Sequence, residues 1–140
     1  MDLTLISDRL IITPLELTDV DLAVELWTDP EVVRYICDVP AVSEIRQEMP
    51  DADIEVGYFL KPSAWGRGYA TEVCERMLQF AFQEASLSEV VASVHENNVA
   101  SKKVLEKCGF LHTGRTKCWG KESPIYRITS DEWIEIRQST

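Results

Sequence analysis

The chain has 140 residues, enough for one core and not for two, and its 45% apolar and 27% charged content is that of a globular fold. A net charge of −10 excludes a nucleic-acid backbone as the partner, because phosphate contact needs a basic face. No apolar run is long enough to cross a bilayer, and Met1-Asp2-Leu3-Thr4 lacks the basic-then-apolar pattern of a signal peptide. The expectation is a single domain over 1–140, in the cytoplasm, with no membrane and no nucleic-acid partner. The acidic balance fits a cationic substrate, and it fits plain solubility equally well.

In chain order, Leu10-Ile11-Ile12 reads as a first strand. Thr18 stands where an N-cap belongs, with Asp21 in the capping-box position. Leu22, Val24, Leu26 and Trp27 then give an amphipathic helix that ends near Asp29-Pro30. Glu31 to Tyr35 reads as a further turn, and Ser43 as the cap of a short helix cut off by Met49-Pro50. Ile54-Glu55-Val56-Gly57-Tyr58-Phe59-Leu60 is rich in β-formers and is closed by Lys61-Pro62.

After a glycine-rich stretch, Val73, Met77, Phe80 and Ala81 mark the inner face of a long helix. Glu89 to His95 is the next strand. Asn98 starts a helix with Val104, Leu105 and Cys108 inward and Gly109 as its stop. Phe110 to Arg115 and Ile125 to Ile128 are paired strands joined through Gly120 to Pro124, and Ser130 or Asp131 caps a last short helix through Trp133 and Ile136. This order predicts an α/β (α+β) fold. The central strand–helix–strand crossover implies a parallel pair, and the final two strands an antiparallel one.

Cys37, Cys74, Cys108 and Cys118 form no CxxC pair, and His95 and His112 are the only histidines, so reduced, mostly buried thiols are expected and no metal site. His95 follows a strand and reads as structural.

The stretch Trp65-Gly66-Arg67-Gly68-Tyr69-Ala70-Thr71 carries the chemistry. A strand, a glycine-rich turn and a helix start together make a phosphate site. Glycines let backbone N–H groups converge, and the helix start adds positive potential. Arg67 adds a cation at the same place. An ordinary strand-to-helix turn is the plain alternative. The string is neither a P-loop, which needs G-x-x-x-x-G-K-[ST], nor a dinucleotide fingerprint, since Gly66-Arg67-Gly68-Tyr69-Ala70-Thr71 ends in Thr.

This stretch resembles the acetyl-CoA pyrophosphate loop of the GNAT superfamily, Gln/Arg-x-x-Gly-x-Gly/Ala, with Gly68 and Ala70 at the small positions and Trp65 as a departure. Asp8-Arg9-Leu10-Ile11-Ile12 with Pro14-Leu15 resembles the "ERLxLRPL" opening of the RimJ/RimL-like branch, Asp29 to Tyr35 its "DPEVxRY" segment, and Ile54 to Tyr58 its "EIGY" strand. Asn98 to Ser101 followed by Val104 to Phe110 resembles its "NxxSxxVLEKxGF" element, and Tyr126 to Thr129 through Trp133 resembles its ending. The motifs run in the family's order over nearly the whole chain.

The resemblance implies a GNAT-like mixed, mostly antiparallel central sheet with flanking helices. It implies acetyl-CoA as cosubstrate and a primary amine as acceptor, either a protein N-terminus or a small molecule. The Glu55 to Leu60 strand would hydrogen-bond the pantetheine arm, with a backbone N–H at Phe59 or Leu60 polarising the acetyl carbonyl. Trp65, Gly66, Arg67, Gly68, Tyr69, Ala70 and Thr71 would hold the diphosphate, and Asn98 would touch the arm while capping its helix. Glu55 is the candidate general base, through water, against the reading of a strand residue that tunes charge. Ser101 is the candidate proton donor to the leaving thiolate, against that of a polar residue in a first helical turn. Lys102 and Lys103 are read as solvent-exposed before phosphate-bound, and Tyr58 as core or channel lining.

Between the Asp29-Pro30-Glu31-Val32 segment and the Glu55 strand the family pattern is much longer. Only Cys37 to Asp53 stands where relatives place most of a helix and a β-hairpin, so the sheet is expected to lack the usual second and third strands. An edge left open in this way invites a homodimer. A reduced acceptor wall beside intact cofactor motifs leaves open a second function, a CoA-binding module without turnover.

Overall fold

The computed structural model describes residues 4–14, 16–32, 56, 58, 60–118 and 121–139. It opens with a hairpin, β1 (Leu5–Ile6) against β2 (Ile11–Ile12), Leu5 opposite Ile12 and Ile6 opposite Ile11. The turn is closed by the Ser7 N–H on the Leu10 carbonyl at 3.0 Å. Leu5 faces in and Ile6 faces out, the period-2 alternation of a strand. The sequence pointed to Leu10–Ile12 alone, because a two-residue strand leaves no period to read.

A 3₁₀ turn (Leu17–Asp19) leads into α1 (Val20–Thr28). The helix entry is not organised by Thr18 and Asp21. The Glu16 N–H instead donates to Asp19 Oδ2 at 2.9 Å, and the Asp19 N–H returns to the Glu16 carbonyl at 2.9 Å. Thr18 lies inside the 3₁₀ turn rather than at its start, so it does not stand at an N-cap. The helix stops where expected: Asp29, next to Pro30, is extended, as a residue before proline prefers. The turn expected at Glu31 to Tyr35 and the short helix after Ser43 fall mainly or wholly outside the described residues, as do Glu55, Gly57 and Phe59.

Of the expected Ile54–Leu60 strand, Val56, Tyr58 and Leu60 are described, and none lies in a ladder. The Val56 N–H donates to the Val91 carbonyl at 2.9 Å, which lays this stretch beside the next strand. Then come a 3₁₀ turn (Pro62–Ala64) and α2 (Tyr69–Gln79), which runs on into a π-turn (Phe80–Glu84). The inner face of α2 is Cys74 and Leu78, continued by Ala81 and Phe82, with Val73, Met77 and Phe80 half-buried at its border. This i, i+4, i+7, i+8 stripe is rotated by about one residue from the expected one. Cys74 anchors it, since a free cysteine packs as a small hydrophobe.

β3 (Glu89–Ser93), β4 (Leu111–Cys118) and β5 (Lys121–Thr129) form an antiparallel sheet in the order β3-β5-β4. β4 and β5 are longer than their apolar centres, so Pro124 lies inside the ladder opposite Arg115 rather than in a turn. A register shift lies between His112 and Gly114. α3 (Val99–Lys107) ends in a Schellman motif: Gly109 has φ +95°, its N–H reaches the Glu106 carbonyl, and the Phe110 N–H reaches the Leu105 carbonyl. α4 (Ser130–Gln138) is capped by Thr129, not by Ser130 or Asp131. Thr129 Oγ1 accepts from the Glu132 N–H at 3.2 Å, and Glu132 Oε1 accepts from the Thr129 N–H at 2.9 Å, a reciprocal capping box.

One sheet face carries the cross-strand pairs Val90–Ile128 and Ala92–Tyr126 into the core, where they meet Cys74, Leu78, Phe82, Leu105, Phe110 and Trp133 from the helices and the α3–β4 link. The fold is thus mixed α/β, with both described sheets antiparallel and helices packed on the larger one.

Candidate active site

The loop between the 3₁₀ turn and α2 is built on two left-handed residues, Gly66 at φ +71° and Gly68 at φ +78°. An L side chain at either position costs about 1–2 kcal/mol, and this is why glycine stands there. Gly68 is the N-cap of α2 and brings no capping side chain. The first-turn N–H groups of Tyr69, Ala70 and Thr71 are therefore directed out of the helix start without a side-chain cap. A Cβ built on Gly66 would meet nothing within 4 Å, so the loop is open on that side. Converging N–H groups, the helix dipole and Arg67 beside open space suit a diphosphate.

Trp65, expected as a cofactor contact, sends its indole N–H to the Leu60 carbonyl at 2.8 Å. Its polar handle pins the corner between the Leu60 segment and the loop. Arg9, which drew no attention as a site residue, lies on the other side. Its Nε bonds Glu72 Oε1 at 2.7 Å, its Nη1 donates to the Arg67 carbonyl at 2.8 Å, and its guanidinium stacks 4.6 Å from the Tyr69 ring centre. Glu72 Oε2 also accepts from the Arg9 N–H at 2.9 Å and from the Ser7 hydroxyl. These three donors, the Ser7 hydroxyl foremost, hold the Glu72 carboxyl down at about 2. Arg9 and Arg67 are 58 residues apart, so no local pattern could have joined them.

Asn98 caps α3 as expected, its Oδ1 accepting from the Ser101 N–H at 3.2 Å. Ser101 is half-buried and neighbours Tyr58, whose hydroxyl is buried without a hydrogen-bond partner among the described residues. The two hydroxyls are close without a formed bond. Burial, the largest cause, pushes the Tyr58 phenol up to about 12, so it stays protonated at neutral pH. Cys74 and Cys108 are buried free thiols in the same neighbourhood. The Cys108 thiol donates to the Thr71 carbonyl at 3.8 Å, and the adjoining Cys74 thiol together with burial raises it, the opposite of an activated nucleophile. Lys102 Nζ sits 3.6 Å from Glu96, and His95 Nδ1 accepts from the Asn97 N–H at 3.1 Å, a local turn contact. Among the described residues no cluster could hold a metal ion, and no helix is long and apolar enough to cross a membrane.

The profile of the acetyltransferase (GNAT) domain family matches residues 41–111, a span that takes in the glycine loop, α2, β3 and α3. The chain belongs to the GNAT acetyltransferases. It is an acetyl-CoA-dependent acyltransferase, and acetyl-CoA is its cosubstrate. The N-acetyltransferase p20 of Bacillus licheniformis is 24% identical over 156 aligned positions, which take in 84% of this chain and 88% of p20. The FsC-acetyl coenzyme A-N(2)-transacetylase of Aspergillus fumigatus is 34% identical over 92 residues, 60% of this chain and 39% of that one. The chain thus spans most of p20 and about two fifths of the transacetylase.

Among solved structures, a GNAT acetyltransferase from Bacillus anthracis superposes with a TM-score of 0.75 at 21% identity, over 92% of this chain and 99% of that one. The aminoglycoside acetyltransferase AAC(6')-Ib, crystallised with coenzyme A, superposes with a TM-score of 0.68 at 12% identity, over 86% and 94%. At these identities the likeness is one of fold, and the fold is the GNAT fold.

Proposed function

We propose that this GNAT enzyme is an N-acetyltransferase that moves the acetyl group of acetyl-CoA to a primary amine by direct attack in a ternary complex. The observation that carries the reading is the glycine turn into the uncapped helix start at Gly68, open beside Gly66. In this reading the loop from Trp65 to Thr71 holds the CoA diphosphate, and Asn98 orders the helix start beside the arm. Backbone N–H groups at Phe59 or Leu60 polarise the thioester carbonyl.

Glu55, through water, takes the proton that makes the amine nucleophilic. The amine nitrogen bonds the carbonyl carbon, the C–S bond breaks, and the sulfur leaves with a proton passed on by Ser101, which takes up in exchange the proton shed by the new amide nitrogen. The acceptor is a cation at neutral pH, a protein N-terminus or a small amine, in keeping with the net charge of −10. The RimJ/RimL-like branch is the one whose motifs run along the chain, and a ribosomal N-acetyltransferase by name, YdaF of Bacillus subtilis, is 32% identical over 63 residues, 45% of this chain and 34% of that one.

The shortened segment 37–53 belongs to the same proposal. The alignment with p20 has 156 positions yet takes in 84% of a 140-residue chain, so p20 has residues without a counterpart here. This observation favours a second reading, a CoA-binding module with a reduced acceptor wall. An edge shared between two copies of a 15.9 kDa chain would complete that wall, which light scattering tests as a dimer mass.

Thiol release from acetyl-CoA over a panel of polyamines, amino acids, aminoglycosides and peptides with free N-termini tests the function. Saturable, amine-dependent release is expected, with Glu55→Gln altering the pH–rate profile and Ser101→Ala lowering kcat. Thermal stabilisation by CoA without release on any amine would favour the module instead.

A further inference from the structure

We propose that Arg9 is a positioning residue for cofactor binding: it locks the diphosphate loop from the N-terminal hairpin and cancels the Glu72 charge that would otherwise oppose a bound anion. The inference rests on reading Trp65 to Thr71 as the diphosphate site.

The geometry has two parts. The first is mechanical. The Arg9 fork spans the loop and the first turn of α2, holding the Arg67 carbonyl at 2.8 Å and Glu72 at 2.7 Å. Its Nη2 would lie 3.3 Å from a Cβ on Gly68, so the guanidinium backs the loop on the Cα side of that glycine. A carbonyl held by Arg9 fixes its peptide plane, and with it the direction of the Gly68 N–H, which lies in that plane and points opposite to the carbonyl. Pre-set donors bind an anion without ordering cost at the moment of binding.

The second part is electrostatic. Glu72 sits in the first turn of α2, where a carboxylate favours the helix dipole but repels an anion at the same helix end. Three donors from the hairpin, the Ser7 hydroxyl and the Arg9 N–H and Nε, occupy both of its oxygens. The charge of the acid is thereby countered by Arg9, and Arg67 remains as the cation of the loop. A lysine could not replace Arg9, because a single ammonium does not span a carbonyl and a carboxylate in one plane.

Calorimetric titration with CoA tests this, beside thermal melting. Wild type should bind; if it does not, the loop reading itself falls and the role of Arg9 with it. Given binding, Arg9→Ala should weaken CoA about tenfold or more, as the loss of a charge-assisted hydrogen bond would. Arg9→Lys should fail to restore it. Adding Glu72→Gln to Arg9→Ala should recover part of the loss, because the exposed carboxylate is removed. Arg76→Ala is the control: it cuts another tie of the hairpin, Arg76 Nε to the Ile6 carbonyl at 2.9 Å, without touching the loop, and should leave CoA affinity within about twofold.

In turnover, KM for acetyl-CoA should rise in Arg9→Ala while kcat holds. Equal weakening by Arg9→Ala and Arg76→Ala would overturn the proposal in favour of simple hairpin docking. CoA affinity unchanged in Arg9→Ala would also overturn it. Should Arg9→Ala not melt as a folded protein, Arg9→Lys decides by the same two criteria.

Discussion

From α2 to α4 the chain gathers Cys74, Leu78, Leu105, Phe110, Ile128 and Trp133 into one buried cluster, whereas from β1 to α1 Leu5 is the buried residue among those described, and Ile11 and Leu17 remain 74% and 90% exposed. The first region is held by apolar burial and by ladders that pair every residue from Glu89 to Ser93 with β5. The hairpin in the second is tied to the first by polar groups of two arginines and one carboxylate. The two modes suit different tasks. Burial makes a rigid platform for the α2 and α3 starts, where the cosubstrate is expected. Polar ties place a small number of donors at one loop with little apolar area behind them.

Substitutions should separate the regions. Leu105→Ala removes a side chain 1% exposed at the centre of the cluster and should cost about 2–5 kcal/mol in chemical denaturation. Ile11→Ser, in the hairpin, should stay within about 0.5 kcal/mol; a similar cost at both sites would abolish the contrast. Gly109→Ala should cost about 1–3 kcal/mol, since φ is +95° and the new Cβ would fall 2.5 Å from Ile136 Cδ1. The Ile136 tip is flexible, so a cost near zero would mean that the Schellman turn relaxes too. Asn98→Ala should lose about 1 kcal/mol of stability, with Asn98→Ser recovering most of it, as a lost N-cap does.

The smallest effect is one of pH. Glu72 is held at about 2 in the fold, below the ordinary carboxylate range. Its contribution is complete above that range and is lost as pH falls through about 2. The NMR signal of the Arg9 Nε–H should therefore stay protected to lower pH than exposed carboxylates titrate, and Glu72→Gln should remove that dependence. A signal that disappears along with ordinary carboxylate titration would show the tie to be weak.

Much of the candidate site was legible because its signals are local. Gly68 before a helix, Asn98 three residues before Ser101, and Gly109 at a helix end are backbone requirements that a short window displays. Ser101, Tyr58 and the two thiols come together only through packing, and no spacing announces them. The α2 face was misplaced by about one residue because Val73 and Met77 look more apolar than Cys74. The helix-entry and α4 caps were misplaced because Ser, Thr, Asp and Glu within one turn compete for the same donors, and geometry chooses among them.

The sequence by itself determined the family, through a glycine loop and a helix-start motif whose residue types answer to backbone geometry and phosphate chemistry. It also determined the element order from α2 to α4, since periodicity of 2 and 3.6 is written along that part of the chain. Only the tertiary structure decided that β5 lies between β3 and β4, that Trp65 braces a corner with its indole, and that Arg9 reaches the Arg67 carbonyl and Glu72. Those contacts join residues 5 to 63 positions apart. They depend on how strands and helices meet in space, which no local pattern records.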